Sequence, residues 1–277
     1  MKCTKIVVTI KKPAFMYAYV NNRHSCYADS VLVAMFAPSD AFTFLLDRPR
    51  TRVAGMLDKE NTKMLNLGLD NRGTTCESLR LEMGEPWSTP FDQSAVDFFH
   101  ALLDMCGATH LGTQIQTLVY RPKDETKPVE VRTMPEDTFR AHVAVAGIHD
   151  HLSDVFHHVL HTDSPSAESK SILTTISLID APSLVFEVGR NDSTADVGYG
   201  YTRGDGAIYL DVDETEYMLI SVVCRKNNHY TTYVWLDEQW HYHDGMKSNG
   251  RLTECDHLEV NNVPPSRYGE LFFYVET

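Results

Sequence analysis

Residues 21–36 decide how the chain can be interpreted, and they read Asn-Asn-Arg-His-Ser-Cys-Tyr-Ala-Asp-Ser-Val-Leu-Val-Ala-Met-Phe. A polar segment is followed by Cys26 and then by an apolar run, which predicts a buried helix over Cys26–Phe36. This arrangement places the Cys26 sulfur at a helix N-terminus, where unpaired backbone N–H groups and the helix dipole favour thiolate over thiol. Taken alone, the stretch fits a nucleophilic cysteine and an inert core cysteine about equally well.

The composition narrows the class of protein. The chain has 277 residues, of which 43% are apolar, and this is enough for a sizeable core. Its formal net charge of −13 argues against nucleic acid as a partner. No stretch approaches 18 consecutive apolar residues, so neither a transmembrane helix nor a membrane partner is expected. The six cysteines include no Cys-x-x-Cys pair, which predicts neither a structural zinc site nor a disulfide framework.

The N-terminus leads directly into a strand-like run without the apolar region of a signal peptide. Together with the cysteine pattern, this predicts a reduced intracellular protein, cytoplasmic or nuclear. For a viral or bacterial effector, the location would be the host cell.

The order of predicted elements indicates an α+β fold, because helices cluster in the first half and antiparallel strands in the second. Helices are predicted at Cys26–Phe36, 56–67, 92–105 and 151–161, the third capped by Asp92 or Ser94, and a loop is predicted at 71–90. Strands are predicted at 5–10, 15–20, Thr113–Arg121, 130–132, 141–148, 183–188, 207–212, 217–224, 230–236, Gln239–His243 and 271–275.

A second group of polar residues supplies partners for the cysteine. His229 lies where a polar turn enters a strongly β-prone run. If residues 230–243 form a hairpin, Asp244 returns to the level of His229. The carboxylate would accept the Nδ1 proton and leave Nε2 facing Cys26, which is the arrangement of a catalytic triad. Asn21, five positions before Cys26, offers a side-chain amide to a developing oxyanion.

With these residues the chain resembles the ubiquitin-specific proteases, the papain-like deubiquitinase family. That family has a cysteine box, Asn-x-x-x-x-Cys-Tyr-x-Asn-Ser, and a histidine box, Gly-His-Tyr-x-x-Tyr, followed by a Trp four residues before an Asp. The matching positions here are Asn21, 26–30, 229–233, Trp240 and Asp244. Further family segments are resembled, in the same order, by residues 93–104, 182–190, 217–223 and 268–274.

The resemblance implies a papain-like cysteine protease fold with one catalytic domain over residues 1–277. A helical thumb would occupy about residues 1–110, and an antiparallel β palm with short fingers about residues 111–277. The implied activity is a thiol-dependent ubiquitinyl hydrolase, which cuts the (iso)peptide bond after the C-terminal Gly of ubiquitin. The implied catalytic residues are Cys26, His229, Asp244 and Asn21.

The same resemblance implies the partners and the remaining site residues. The partners would be ubiquitin or a ubiquitin-like protein and its conjugates, with no nucleic acid, no membrane and no cofactor, and the protein would act as a monomer. Asn228 and Tyr230, which flank the histidine, are the predicted substrate-binding residues of the histidine box. Asp97 is the predicted contact for the basic ubiquitin tail.

Several positions depart from the family pattern. Asp29 replaces an Asn and places an acid within one turn of the thiolate, which it would oppose. Asn228 replaces the Gly before the histidine and tolerates the left-handed conformation that such a turn requires. Ser94 replaces the acid that would meet the ubiquitin tail, and Gly245 replaces a second Asp. The zinc-binding Cys-x-x-Cys pairs of the fingers are missing, so metal-free fingers are expected.

Two other functions stay open: a protease for another ubiquitin-like modifier or a polyprotein, and a module that binds ubiquitin without cutting it. The complete set of Cys26, His229 and Asp244 argues against the second. Among the other histidines, His24 either lines the cleft or fills the turn before the helix, and the turn is favoured. The histidine-rich run at 149–161 has the helical spacing of a zinc pair, although a solvated helix face is the favoured interpretation.

Overall fold

The computed structural model describes residues 17–46, 51–70, 72–107, 113–121, 130–133, 137–138, 141–144, 151–152, 159–160, 171–179, 183–189, 196–212, 214–260 and 262–277. Within them the α-helices are α1 (Cys26–Phe36), α2 (Arg52–Leu69), α3 (Glu77–Met83), α4 (Ala95–Met105) and α5 (Pro265–Tyr268). The strands are β1 (Thr113–Arg121), β2 (Glu130–Thr133), β3 (Asp137–Thr138), β4 (Ala141–Ala144), β5 (Val159–Leu160), β6 (Ser171–Ile179), β7 (Ser183–Gly189), β8 (Tyr201–Thr202), β9 (Ile208–Val212), β10 (Thr215–Lys226), β11 (His229–Leu236), β12 (Gln239–His243), β13 (Thr253–Cys255) and β14 (Gly269–Glu276).

Helix α1 has the predicted bounds and is buried along its whole length. It packs on strands β10 and β11 of the larger sheet and on helix α4. Two strand hydroxyls bind its backbone: Ser221 Oγ donates to the carbonyl of Ala34 at 2.8 Å, and Thr232 Oγ1 donates to that of Ser30 at 3.0 Å. The helix is therefore fixed along the strand that begins at His229.

The predicted loop at residues 71–90 is wrong, because helix α3 lies inside it. Leu79, Arg80 and Met83 are the buried residues of this helix. With only seven residues, α3 is too short to show a full apolar period, and the turn-forming Gly, Ser and Pro residues around it dominate the local sequence. Helix α2 is longer at both ends than the predicted 56–67.

Helix α4 confirms one of the two predicted caps. It begins after Ser94, whose side chain accepts a hydrogen bond from the Asp97 backbone N–H at 3.2 Å. Asp92 therefore does not cap the helix, and its carboxylate is available for another contact. None of the described helices combines the length and the apolar character needed to cross a lipid bilayer.

The larger sheet confirms the α+β class and the predicted hairpin. Its strand order is β13-β12-β11-β10-β14-β7-β4, and β9 pairs with the first half of β10 and with β8. The pairs are antiparallel except β4 with β7. Strands β11 and β12 pair from Thr232 with His243 to Leu236 with Gln239. Asp244, the residue after β12, therefore lies beside the start of β11.

A smaller sheet has the order β2-β1-β6-β5, with β3 also paired to β1. The predicted helix at 151–161 is wrong in its described part: residues 159–160 form strand β5 on β6, and His151 bridges Gly198. Pairing with a neighbouring strand overrides the weak local helical pattern there. The zinc-pair question rests on His157 and His161, which lie outside the described residues.

A bridging segment at residues 17–21 replaces the predicted strand at 15–20, and the predicted strand at 5–10 lies outside the described residues. Ala18 N–H donates to Gly250 O at 2.9 Å, and Val20 N–H donates to Thr74 O at 2.6 Å. Isolated β-bridges join Tyr17 to Arg251 and Tyr19 to Thr74. This segment connects the loop after β12 to the loop before α3, directly ahead of the cysteine.

Candidate active site

The cysteine loop, residues 21–25, delivers Cys26 to the start of α1, where its side chain is 4% exposed. Arg23 and His24 both adopt left-handed backbone conformations, with φ of 52° and 58°. Residues with a Cβ pay about 1–3 kcal/mol each for such a conformation. The loop is therefore strained and needs ties from the surrounding structure.

Side chains within the cysteine loop provide some of these ties. Ser25 N–H donates to Asn21 Oδ1 at 3.1 Å, and Asn22 N–H donates to Ser25 Oγ at 2.8 Å. Because Oδ1 is engaged by Ser25, the amide of Asn21 is fixed and its Nδ2 is the group that remains for a ligand. This orientation suits the predicted role of Asn21 as an oxyanion donor.

The base and its partner are held across the hairpin of β11 and β12. His229 Nε2 lies 2.8 Å from Asp244 Oδ1. The same oxygen accepts a hydrogen bond from Met246 N–H at 3.0 Å, and Lys247 Nζ lies 3.2 Å from Oδ2. The Asp244 carboxylate is 4% exposed, so it is buried and fully bonded.

The imidazole is turned the other way from the prediction. The sequence interpretation placed Nδ1 of His229 on Asp244, but Nε2 is the nitrogen that meets the carboxylate. Nε2 is farther from the backbone, so it is the atom that reaches from the start of β11 to the residue after β12. Nδ1 is the nitrogen left to face Cys26, whose side chain is the second cause of the raised pKa of His229.

The electrostatics favour a charged pair at neutral pH. The hydrogen bond with Asp244, followed by that with Cys26, raises the pKa of His229 to about 9. Burial alone would raise the pKa of Asp244, but the hydrogen bond and the charge of His229 outweigh it and lower the pKa to about 2. At neutral pH His229 is therefore an imidazolium beside an ionised Asp244.

The glycine after Asp244 permits the close approach of the two loops. A Cβ at Gly245 would lie 2.9 Å from the backbone nitrogen of Asn21, which is too close for a side chain. The Gly245 carbonyl instead accepts a hydrogen bond from Asn21 N–H at 2.9 Å. The departure from the family pattern at this position thus brings Asn21 next to the loop that carries Asp244.

One cleft of about 500 Å³ contains most of the predicted site. Of the predicted residues, Asn21, Cys26, Asn228 and His229 line it. Asp244 does not line the cleft but binds His229 Nε2. The structure thus brings together the four residues predicted to be catalytic.

Two of the predicted substrate contacts, Asn228 and Asp97, differ in their position relative to the cleft. Asn228 lines the cleft, although the left-handed residue of its turn is Asn227, with φ of 55°. Asp97 is exposed on the first turn of α4 but is not among the residues that line the cleft. Both assignments remain predictions.

Tyr230, the third predicted substrate contact, lies outside the lining of the cleft. It is 3% exposed. Successive side chains of a strand point to opposite faces, so Tyr230 faces away from the side on which His229 meets Cys26. Burial, followed by the charge of Glu270, raises its pKa above the ordinary tyrosine value. Its assignment as a substrate contact remains a prediction.

Two cleft residues were missed or misjudged by sequence reasoning. His24 lines the cleft, and its Nδ1 lies 3.0 Å from Oδ1 of Asp92, which also lines it. Asp92 lies in the loop before α4, 68 positions later in the chain, so no local motif signals the pair. The prediction that His24 only fills the turn is wrong.

Asp29 does not face the thiolate as expected. Its carboxyl is 1% exposed, with Oδ2 accepting from Ser25 Oγ at 2.6 Å and Oδ1 from Cys76 Sγ at 3.1 Å. Burial raises the pKa of Asp29 to about 7, although both hydrogen bonds and the charge of Arg80 oppose this. At neutral pH this group is therefore only partly charged, which weakens its predicted opposition to the thiolate.

Asp29→Asn is expected to remove a pH dependence of the free energy of unfolding. The pKa of Asp29 is about 7 in the folded protein against an ordinary value of 3.8. Its stabilising contribution is therefore full below the ordinary value and is lost as the pH rises through about 7. Urea unfolding should show that, between about pH 5 and pH 8, the free energy of unfolding of wild type falls by on the order of 2–3 kcal/mol relative to that of the variant. Parallel stability curves would contradict the assignment.

The described residues contain no group of three or more His, Cys, Asp or Glu side chains arranged to hold a metal ion. All five described cysteines are free thiols. The cleft itself is lined by the Cys26 thiol, the His229 imidazole and the Asn21 amide, together with His24 and Asp92.

Comparison with solved structures identifies the class of fold. The chain has the papain-like α+β fold of ubiquitin-specific proteases, as found in the deubiquitinase Ubp8. One similar structure is the SAGA DUB module of Ubp8, Sgf11, Sus1 and Sgf73 bound to monoubiquitin, with a TM-score of 0.66 and 13% identity over 100% of this chain and 72% of that chain. Another is the Ubp8-Sgf11-Sgf73-Sus1 module, with a TM-score of 0.67 and 14% identity over 95% and 68%. No family model and no curated protein matches the sequence.

Proposed function

We propose that this chain is a cysteine protease that hydrolyses the (iso)peptide bond after the C-terminal Gly of ubiquitin. The observation that carries the proposal is the cleft in which Cys26, the His229–Asp244 pair and the Asn21 amide converge. The fold supports it, since Ubp8 has the same fold and is bound to monoubiquitin in one of the similar structures.

The mechanism follows from the charges and donors of the cleft. The Cys26 thiolate attacks the carbonyl carbon of the terminal Gly, and the carbonyl oxygen becomes an oxyanion that Asn21 Nδ2 and the Cys26 N–H stabilise. The His229 imidazolium then gives its proton to the leaving lysine amine, and the C–N bond breaks to leave a thioester. Neutral His229 next takes a proton from water, which attacks the thioester and releases the ubiquitin carboxylate and Cys26.

Carboxylates near the cleft suit a basic polypeptide tail. Asp97 remains the predicted contact for the ubiquitin tail, and Asp92 lines the cleft itself. The chain's net charge of −13 favours approach of such a substrate. Ubp8 is assembled with three other proteins in both similar structures, so the comparison does not support the expectation of a monomer.

Asn21→Ala is expected to lower kcat for ubiquitin-substrate hydrolysis by about 10²–10³-fold, with KM nearly unchanged, because an oxyanion donor acts in the transition state. Steady-state kinetics with a fluorogenic ubiquitin C-terminal substrate measures both constants. An unchanged kcat, or a loss confined to KM, would remove Asn21 from the oxyanion site.

The experiment that tests the function compares modifiers. Fluorogenic C-terminal substrates of ubiquitin and of several ubiquitin-like proteins are assayed with the wild-type chain, and binding of each intact modifier is measured in parallel. The proposal predicts the highest kcat/KM with ubiquitin. Preference for another modifier would redirect the substrate assignment, and ubiquitin binding without turnover would establish a non-catalytic module.

A further inference from the structure

Arg80 of helix α3 is a buried cation whose donors all serve the region around the cysteine. Its side chain is 3% exposed, and it is not part of the cleft. Its hydrogen bonds run from Nη1 to Asn22 O (3.2 Å) and Arg23 O (3.4 Å), from Nη2 to Thr89 O (2.8 Å), and from Nε to Trp87 O and Tyr27 Oη (both 3.0 Å). A planar guanidinium is suited to holding several acceptors in a fixed arrangement.

Asp29 holds the same loop from the helix side. Its Oδ2 accepts a hydrogen bond from the Ser25 hydroxyl at 2.6 Å, and the Ser25 oxygen in turn accepts a hydrogen bond from Asn22 N–H. Ser25 N–H is the group that fixes Asn21 Oδ1. Arg80 and Asp29 thus hold the cysteine loop through hydrogen bonds to groups between Asn21 and Cys26.

The two residues also interact electrostatically. In the described part of the chain no carboxylate lies within ion-pair distance of the Arg80 guanidinium, although buried charges are costly without compensation. Burial raises the pKa of Asp29, and the charge of Arg80 opposes this effect in part.

The strain in the loop explains why such ties are needed. Arg23 and His24 occupy left-handed conformations that cost about 1–3 kcal/mol each, and the loop returns to ordinary conformations if nothing opposes this. Both residues lie between Asn21 and Cys26, so relaxation would move the Asn21 amide relative to the sulfur. A displacement of about 1 Å is enough to cost about 10²-fold in rate.

We propose that Arg80 and Asp29 are positioning residues that hold the strained cysteine loop so that the Asn21 amide reaches the oxyanion formed at Cys26. The proposal rests on the proposed function for its catalytic consequence. It assigns neither residue to contact with substrate.

The proposal predicts a selective kinetic defect. Acyl transfer passes through an oxyanion and requires Asn21, whereas alkylation of the Cys26 thiolate by iodoacetamide displaces iodide and forms no oxyanion. Arg80→Gln should therefore lower kcat for substrate hydrolysis by about 10–10²-fold, while KM and the alkylation rate of Cys26 stay within about twofold. A role in stability alone would lower the folded fraction and would reduce both reactions equally.

The kinetic test is a double-mutant cycle with Arg80→Gln, Asn21→Ala and the combined variant, all corrected for folded fraction. If Arg80 acts through Asn21, the combined variant loses no more kcat than Asn21→Ala alone. If the loss of kcat in the combined variant equals the product of the two single losses, or if Arg80→Gln keeps wild-type kcat, the proposal is overturned. Arg52→Gln is the matched control. The exposed Arg52 side chain of α2 forms an ion pair at 3.0 Å with Glu82, which lies on the same helix as Arg80. This variant should keep wild-type kinetics.

A second measurement does not depend on substrate. Backbone hydrogen exchange over residues 20–26 should become faster in Arg80→Gln and in Asp29→Ala, but not in Arg52→Gln. The Asp29→Ala variant keeps the test decisive if Arg80→Gln does not fold. Unchanged hydrogen exchange in these variants would overturn the positioning proposal. If wild type cleaves no modifier, that result by itself overturns only the proposed function.

Discussion

Cys26→Ala is expected to abolish hydrolysis of a fluorogenic ubiquitin C-terminal substrate, with a loss of at least about 10⁴-fold in kcat/KM. Cys26 is the thiol that lines the cleft beside the His229 imidazolium, and no covalent intermediate can form without it. Progress curves at enzyme concentrations far above those needed for wild type would measure the residual rate. Circular dichroism would verify that the variant folds, as expected for a change that removes a single buried sulfur.

The matched control is Cys255→Ala, which removes a cysteine from the edge strand β13 of the same sheet. This variant should keep wild-type turnover, because Cys255 does not line the cleft. Retained turnover in Cys26→Ala would refute the nucleophile assignment. Equal losses in both variants would point to a general effect on folding.

Asp244→Ala is expected to lower kcat by about 10²–10⁴-fold, the usual range for disabling a positioned acid–base group. Without its carboxylate partner, His229 loses both its orientation and the main cause of its raised pKa. The pKa of His229 is about 9 in the intact site and should fall towards its ordinary value of 6.5. The imidazolium would then be lost at lower pH.

The pH profile separates this effect from simple misfolding. In wild type, kcat/KM should decline on the alkaline side only near about pH 9, and in Asp244→Ala the alkaline decline should move to lower pH by about 2 units. Asp256→Ala, which removes an exposed carboxylate outside the cleft, should leave the profile unchanged. An unshifted alkaline limb in Asp244→Ala would show that Asp244 does not control His229.

The parts of the site carried by regular elements could be predicted from the sequence. Helix α1 begins at Cys26 because a polar segment gives way there to a continuous apolar run, and this change is visible in the residue order. The β11–β12 hairpin follows from two β-prone runs separated by a short turn, so the meeting of His229 and Asp244 could be anticipated. These features depend on neighbours in the sequence.

What sequence reasoning missed depends on contacts between distant segments. Arg80 reaches the cysteine loop from α3, a helix hidden among turn-forming residues. The orientation of the His229 ring depends on how far Asp244 lies from the backbone of β11, and no motif encodes that distance. His24 and Asp92 meet across 68 positions. Each error arose where the geometry between elements, and not the pattern within one, decides the outcome.

Two departures from the family pattern have physical explanations in this chain. Gly245 stands where the resembled family has an acidic residue, and a side chain at this position would collide with the Asn21 backbone. Asp29 replaces an asparagine in a chain where Arg80 places a positive charge in the same buried network. Both positions contact the cysteine loop or the segment beside it.

Mapping the adduct formed with an electrophile carried on the ubiquitin C-terminus tests the central claim most directly. Incubation of wild type with this probe, followed by peptide mass spectrometry, should reveal one covalent ubiquitin adduct located on Cys26, and prior alkylation of Cys26 should prevent it. Absence of an adduct, or an adduct on another cysteine, would contradict the account.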